Sequence, residues 1–227
     1  MDNTRELFDV WLYCQTKLKK TLRWGDYVNY EKKKPKRYNG IRRQNVADHT
    51  LSKLTAFIML LPNMKSIFGN NVDFDLLLAC IACHDYGEGL RGHKYDVLAN
   101  LKTNSHDLEE YILVMKFIYE SDMTNETIMR NFHESFLLQF ALTSYRIFPS
   151  EAKKIMVEMR KNRVKRNTAI LFQIFEKWEY FFYAREHKKK NPTIWKDVLS
   201  GEKLKGWILK LPKKYIVSVE ELFRIYP

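Results

Sequence analysis

Apolar residues recur along this chain at intervals of three and four, the spacing that puts them on one face of an α-helix. Residues 4 to 22 place Leu7, Val10, Trp11, Cys14 and Leu18 on a common stripe and predict a first helix. A second is predicted over 46 to 61, through Val46, His49, Leu54, Phe57 and Ile58, stopping before Pro62. The third starts after "NNVD", where Asn or Asp can cap it, and runs through "LLLACIAC". Further helices are expected at 105 to 120, 125 to 147, 150 to 161 and 166 to 187, the last being the strongest pattern. Strand-like alternation is short and rare, so the predicted class is all-α, a helical bundle.

The polar stretches divide this pattern. "RWGDYVNYEKKKPKRYNGIRR" carries Pro35 and Gly40, and its run of like charge resists packing, so it predicts a basic loop. "GEGLRGH" sets Gly87, Gly89 and Gly92 within six positions and predicts the end of the third helix. Beyond Asn191, with Pro192, Gly201, Gly206 and Pro212, short helices or turns are expected, and "KKYIVSV" suits a short strand. No repeat or linker is evident. The expected organisation is one domain over 1–190 with a C-terminal extension, 191–227, packed on the same core.

Composition narrows the class without selecting a function. At 227 residues and 45% hydrophobic content the chain can bury a sizeable core. Thirty-nine Lys and Arg against 27 Asp and Glu leave +12, a positive field that attracts nucleotides, nucleic acid or anionic lipid alike. Cys14, Cys80 and Cys83 cannot all pair internally, and the CxxC of the last two lacks the second ligand pair of a structural zinc site. They read as small core residues in a reducing compartment. The N-terminus is acidic before any apolar stretch and no apolar run nears 18 residues, so a soluble, cytoplasmic protein with no membrane partner is expected.

The chemistry concentrates in three places. His49, in "NVADHTLSKL", lies near the start of the second helix. His84 and Asp85 end the third, where the chain leaves helical geometry and adjacent side chains can converge. Glu176 sits between Phe172 and Tyr180 on an aromatic stripe, and a buried carboxylate needs a cationic or metal partner. Lys177 and Glu179 compete on that helix, and a simple ion pair remains open at this stage. A metal reading requires several such ligands meeting at one point.

The ordered set "NVADHT", "CHDYGE" and an acid followed by Lys in the last strong helix resembles the HD-domain phosphohydrolases, in particular the small branch similar to bacterial 5′-deoxynucleotidases. The likeness covers roughly residues 5 to 187. It implies an all-α bundle in which His49, His84, Asp85 and Glu176 ligate one divalent ion, manganese, cobalt or another transition metal. Glu176 stands where the family usually has Asp, one methylene shorter. The resemblance makes Glu88 the group that activates or positions water. His93 falls where the family has a second acid that helps catalysis and contacts the sugar, so it is expected to be catalytic, as a general acid or phosphate ligand, or to mark altered substrate choice. Arg23 and Trp24, in "LRWG", resemble an Arg-Trp pair that holds phosphate and stacks on the nucleotide, here set apart by an apparent insertion. Arg42 matches a basic position ahead of the first histidine, and Lys94 is a further candidate for phosphate. His106, His133 and His187 match no role, and His133 reads as a surface or capped histidine.

The expected function is therefore metal-dependent hydrolysis of a nucleotide, most simply the 5′-phosphate ester of a deoxynucleoside monophosphate. A deoxynucleoside triphosphate triphosphohydrolase is one alternative, since the basic segment 31 to 37 and Lys94 could meet a longer phosphate chain. A non-catalytic fold relative that binds nucleotide or RNA through its charge and aromatics is another. Family members are often dimers, which makes a homodimer the implied assembly.

Overall fold

In a computed structural model, the residues described are 12, 13, 16–23, 45–92, 102–120, 126–143, 147–198 and 200–223. Trp24, Arg42, His93 and Lys94, together with the basic segment 31 to 37, lie outside them. The described part is all-α. Residues 16–20 are helical, and after them come α1 (Val46–Phe68), α2 (Phe74–Cys83), α3 (Tyr86–Leu90), α4 (Asn104–Glu120), α5 (Glu126–Leu138), α6 (Ser150–Lys161), α7 (Arg163–His187), α8 (Pro192–Val198), α9 (Ser200–Ile208) and α10 (Lys213–Leu222). Among the described residues the only extended pairing is an isolated bridge between Leu22 and Asn45, which ties residue 23 to the start of α1.

Helix α7 is the axis of the packing. Its 25 residues bury Ile170, Leu171, Phe172, Ile174 and Phe175, and α2, α6, α8 and α9 all pack against it. Leu204, Ile208, Leu211, Tyr215, Val219 and Phe223, from the C-terminal helices and the turns that join them, belong to the same buried cluster as Phe57, Leu77 and Phe175. Asn45 caps α1 through the Asp48 amide at 2.7 Å, Asp73 caps α2 through the Leu76 amide at 2.9 Å, and Asn162 caps α7 through the Lys165 amide at 3.1 Å. These caps set where the helices that carry His49, His84 and Glu176 begin.

Four expectations are corrected. Helix α1 does not stop at Pro62 but continues to Phe68, because Met64 and Phe68 are buried beyond it. Pro62 and Ile58 face solvent, so the carbonyl that loses its intrahelical donor can turn to water. Helix α5 ends at Leu138 rather than 147: tight turns take over, with Phe140 N–H donating to Leu137 O and Ala141 N–H to Leu138 O. "KKYIVSV" is helical, since Pro212 starts α10 and Tyr215 and Val219, four apart, are its buried contacts. "GEGLRGH" does not simply end a helix either. The chain turns at His84 and Asp85 and resumes as α3, whose glycines permit close approach to α4 and to Leu18.

No helix among the described residues is long and apolar enough to cross a membrane. Cys80 and Cys83 are buried in the core.

Candidate metal centre

His49 is carried on the inward face of α1, and the turn between α2 and α3 presents His84 and Asp85 toward it. One ligand atom from each of these three buried residues lies within 4.8 Å of the other two, an arrangement that could hold a metal ion. His49 Nε2 is 3.7 Å from Asp85 Oδ2, and His84 Nε2 is 3.0 Å from Asp85 Oδ1. From α7, Glu176 Oε1 comes within 3.0 Å of His84 Nε2 and 4.0 Å of His49 Nε2. An ion with bonds of about 2.1 Å places adjacent ligands about 3.0 Å apart in octahedral and about 3.4 Å apart in tetrahedral coordination, and the spacing around His84 Nε2 is 3.0 Å.

The surrounding residues orient these ligands. His84 Nδ1 lies 2.9 Å from the Ile81 carbonyl, which fixes the ring so that Nε2 faces the centre. The Gln139 side-chain amide donates to the His84 carbonyl at 3.0 Å, holding the turn itself in place. Glu179, one helical turn beyond Glu176, sets Oε1 3.0 Å from His49 Nδ1. Arg23 Nη1 is 3.3 Å from Asp85 Oδ2, its other terminal nitrogen donates to the Tyr180 hydroxyl, and its guanidinium lies over the Tyr180 ring.

Protonation suits ligation. Burial, reinforced by Arg23 and Lys53, holds His49 well below its ordinary value, and burial likewise lowers His84 although Asp85 opposes it. Burial pushes Asp85 up, yet His84, Lys53 and Arg23 together keep its carboxyl well below the usual carboxylate range. Neutral imidazoles beside an ionised carboxylate are the forms a cation binds. Both His49 ring nitrogens are buried without a hydrogen bond; Nδ1 faces Glu179 Oε1, whereas Nε2 has only Asp85 and Glu176 oxygens at 3.7 and 4.0 Å, an arrangement that costs free energy unless a cation satisfies it.

One cation is already among them. Lys53, almost wholly buried four residues after His49, puts Nζ 2.7 Å from His84 Nε2 and in direct contact with Glu176 Oε1. Burial brings it down to about 7 against the pull of Asp85. Residue type alone does not mark Lys53 as part of a metal centre. Its signal was the interval of four from His49, which puts both side chains on one helix face.

Glu88, on α3, opens from the same turn into a cavity of about 300 Å³ whose lining includes His84, Asp85, Glu176 and Lys177. It is 6% exposed, so it is not a solvated helix-end acid. Oε1 meets Lys102 Nζ at 3.3 Å, while Oε2 is buried without a hydrogen-bond partner. Lys102 also reaches Glu110 Oε2 at 2.8 Å and Asp107 Oδ1 at 3.7 Å. Lys177, half-buried in the same lining, is lowered to about 8 by burial and by the neighbouring Lys203, Arg23 and Lys102.

Of the residues singled out from sequence, the structure brings together His49, His84, Asp85, Glu176, Glu88 and Arg23. His133 is not a surface residue: it is buried, with Nε2 3.1 Å from the Tyr111 hydroxyl. His187 is also buried, stacked on Tyr183. The fold and site thus define an all-α protein with a buried His-His-Asp cluster capable of holding a metal ion. No family model, curated protein or solved structure matches the chain.

Proposed function

We propose that the protein is a metal-dependent phosphohydrolase of nucleotides, working in the manner of the HD-domain enzymes its motifs resemble, and that its simplest substrate is a deoxynucleoside 5′-monophosphate. The observation that carries this reading is the meeting of His49, His84, Asp85 and Glu176 beside a cavity into which Glu88 also opens. A divalent ion held there would neutralise phosphoryl charge and acidify water. Glu88, anchored by Lys102 through one oxygen, offers the other as acceptor for the proton of the attacking water. Lys177, which lines the cavity, supplies positive charge where the phosphate would sit, while Arg23, its fork committed to Asp85 and Tyr180, holds Asp85 ionised and in place.

Nucleoside mono-, di- and triphosphates incubated with manganese, cobalt, zinc or magnesium should release inorganic phosphate from the monophosphates. Asp85→Ala should abolish the release. Glu88→Gln should slow it by about 10²- to 10⁴-fold while leaving metal affinity unchanged. Release of pyrophosphate or tripolyphosphate would move the assignment to a triphosphohydrolase, and full activity in Asp85→Ala would sink the site.

Lys53 favours a second reading, a non-catalytic protein that binds nucleotide or RNA, because an ammonium already stands among the carboxylates. Its mark would be RNA binding that weakens steeply with salt, with no phosphate released under any ion.

A further inference from the structure

We propose that Lys53 is a tethered cation standing in the place of the divalent ion, and that an ion enters the centre only when this side chain swings into a second cavity on its other side. The inference rests on the metal reading above and concerns what that reading must displace. Three observations converge. Lys53 Nζ touches Glu176 Oε1 and lies 2.7 Å from His84 Nε2, the two atoms that are themselves 3.0 Å apart. Two cations within bonding reach of the same nitrogen and the same carboxylate oxygen exclude one another by volume and by charge.

The second observation is a destination. Lys53 also lines a cavity of about 730 Å³ between α1 and α7, together with Asp48, Glu179 and Glu186. A lysine stem has four rotatable carbons, so its ammonium can exchange one set of carboxylates for another without moving the helix. The three acids of this lining outnumber its one other lysine, Lys190, so the ammonium is not left unpaired there. The third observation is position. His49 and Lys53 share one face of α1 a turn apart, so the lysine cannot avoid the centre by helix register.

Two consequences follow for the protein's chemistry. The centre is not a cluster of unopposed carboxylates: the Arg23 guanidinium meets Asp85 and the Lys53 amino group meets Glu176. Apparent metal affinity equals the intrinsic affinity multiplied by the fraction of molecules in which Lys53 is withdrawn.

The test pairs a variant with a measurement on the wild type. Manganese and zinc binding is measured by calorimetry on wild type, Lys53→Met and Lys53→Gln. If Lys53 is withdrawn in no more than one molecule in ten, either variant should bind at least about tenfold more tightly. In the wild type, reductive methylation followed by mass spectrometry should leave Lys53 protected without metal and labelled when manganese or zinc is bound. Unchanged affinity in both variants, or protection of Lys53 that metal does not alter, overturns the inference while leaving the metal centre standing. Wild-type methylation alone decides the matter if neither variant folds. Absence of binding in wild type and variants alike overturns the inference and the metal centre together.

Discussion

Glu110 is the residue whose cost to the fold is easiest to read. Its carboxyl is almost completely buried on α4, facing Lys102 and Arg91 as well as the like charges of Glu88 and Asp107. Burial pushes it up to about 7, with Lys102 pulling the other way. The folded chain then holds a proton that the unfolded chain, with an ordinary value near 4.3, has already released. The stability this provides is complete below about pH 4 and is lost as pH rises through 7. Urea unfolding should show wild type weaker at pH 8 than at pH 5 by on the order of 2 kcal/mol relative to Glu110→Gln, whose profile should be flatter across that window. Parallel wild-type and variant profiles would remove Glu110 as the cause. Residues of this kind explain what was legible at the site and what was not. His49, His84 and Asp85 declare themselves because their types and order are those of a ligand set. Lys53 and Glu110 carry types that normally mark a solvated face, and only three-dimensional burial makes Lys53 part of the centre and Glu110 a partner of Lys102, which anchors Glu88.

At the scale of elements, the site depends on α3 lying hard against α4. A methyl group added at Gly87 would sit 2.4 Å from Glu110 Cβ and 2.9 Å from its Cα, so the backbone itself would have to give. Gly87→Ala should lower stability by about 1–3 kcal/mol and should also shift Glu88, its chain neighbour. Gly206→Ala is the matched contrast: this position is exposed in α9 with nothing within 4 Å of the added carbon, and alanine there should stabilise by about 0.5–1 kcal/mol. Thermal melts of the two variants should therefore move in opposite directions, and a neutral Gly87→Ala would mean that α3 and α4 separate easily. The helices themselves were largely readable, because α4, α6 and α7 follow their 3.6-residue pattern closely. Their ends were less so. Helix α1 outruns Pro62 because its packing partners lie beyond the proline, and α5 stops short where tight turns take over and the Gln139 side chain reaches the His84 carbonyl. Both are decided by contacts distant in sequence, which local pattern does not carry.

Across the whole molecule, the C-terminal helices bear directly on the centre. Phe223 packs edge-on against Phe175 at 5.2 Å and Trp178 at 5.6 Å, and its carbonyl accepts from the Trp178 indole N–H at 3.2 Å. Phe175 and Trp178 bracket Glu176 on α7, and Trp178 directly precedes Glu179, so α10 braces the stretch that supplies two of the centre's carboxylates. Tyr215 closes on Phe68 at 4.8 Å, joining the same helix to the far end of α1. Leu204, Ile208, Leu211, Tyr215, Val219 and Phe223 are each almost fully buried. At about 1.5–3 kcal/mol for each apolar side chain, their burial contributes on the order of 10 kcal/mol. A chain cut before these helices would lose that burial and leave the faces of α1 and α7 that they cover open to water. A chain ending at residue 190 should therefore lose its cooperative urea transition and bind a hydrophobic dye, and its manganese affinity should fall with it because α7 has lost its brace. A sharp transition at the wild-type midpoint, with metal binding intact, would instead make residues 191–227 a separable unit and place the whole support of the centre in the first 190 residues.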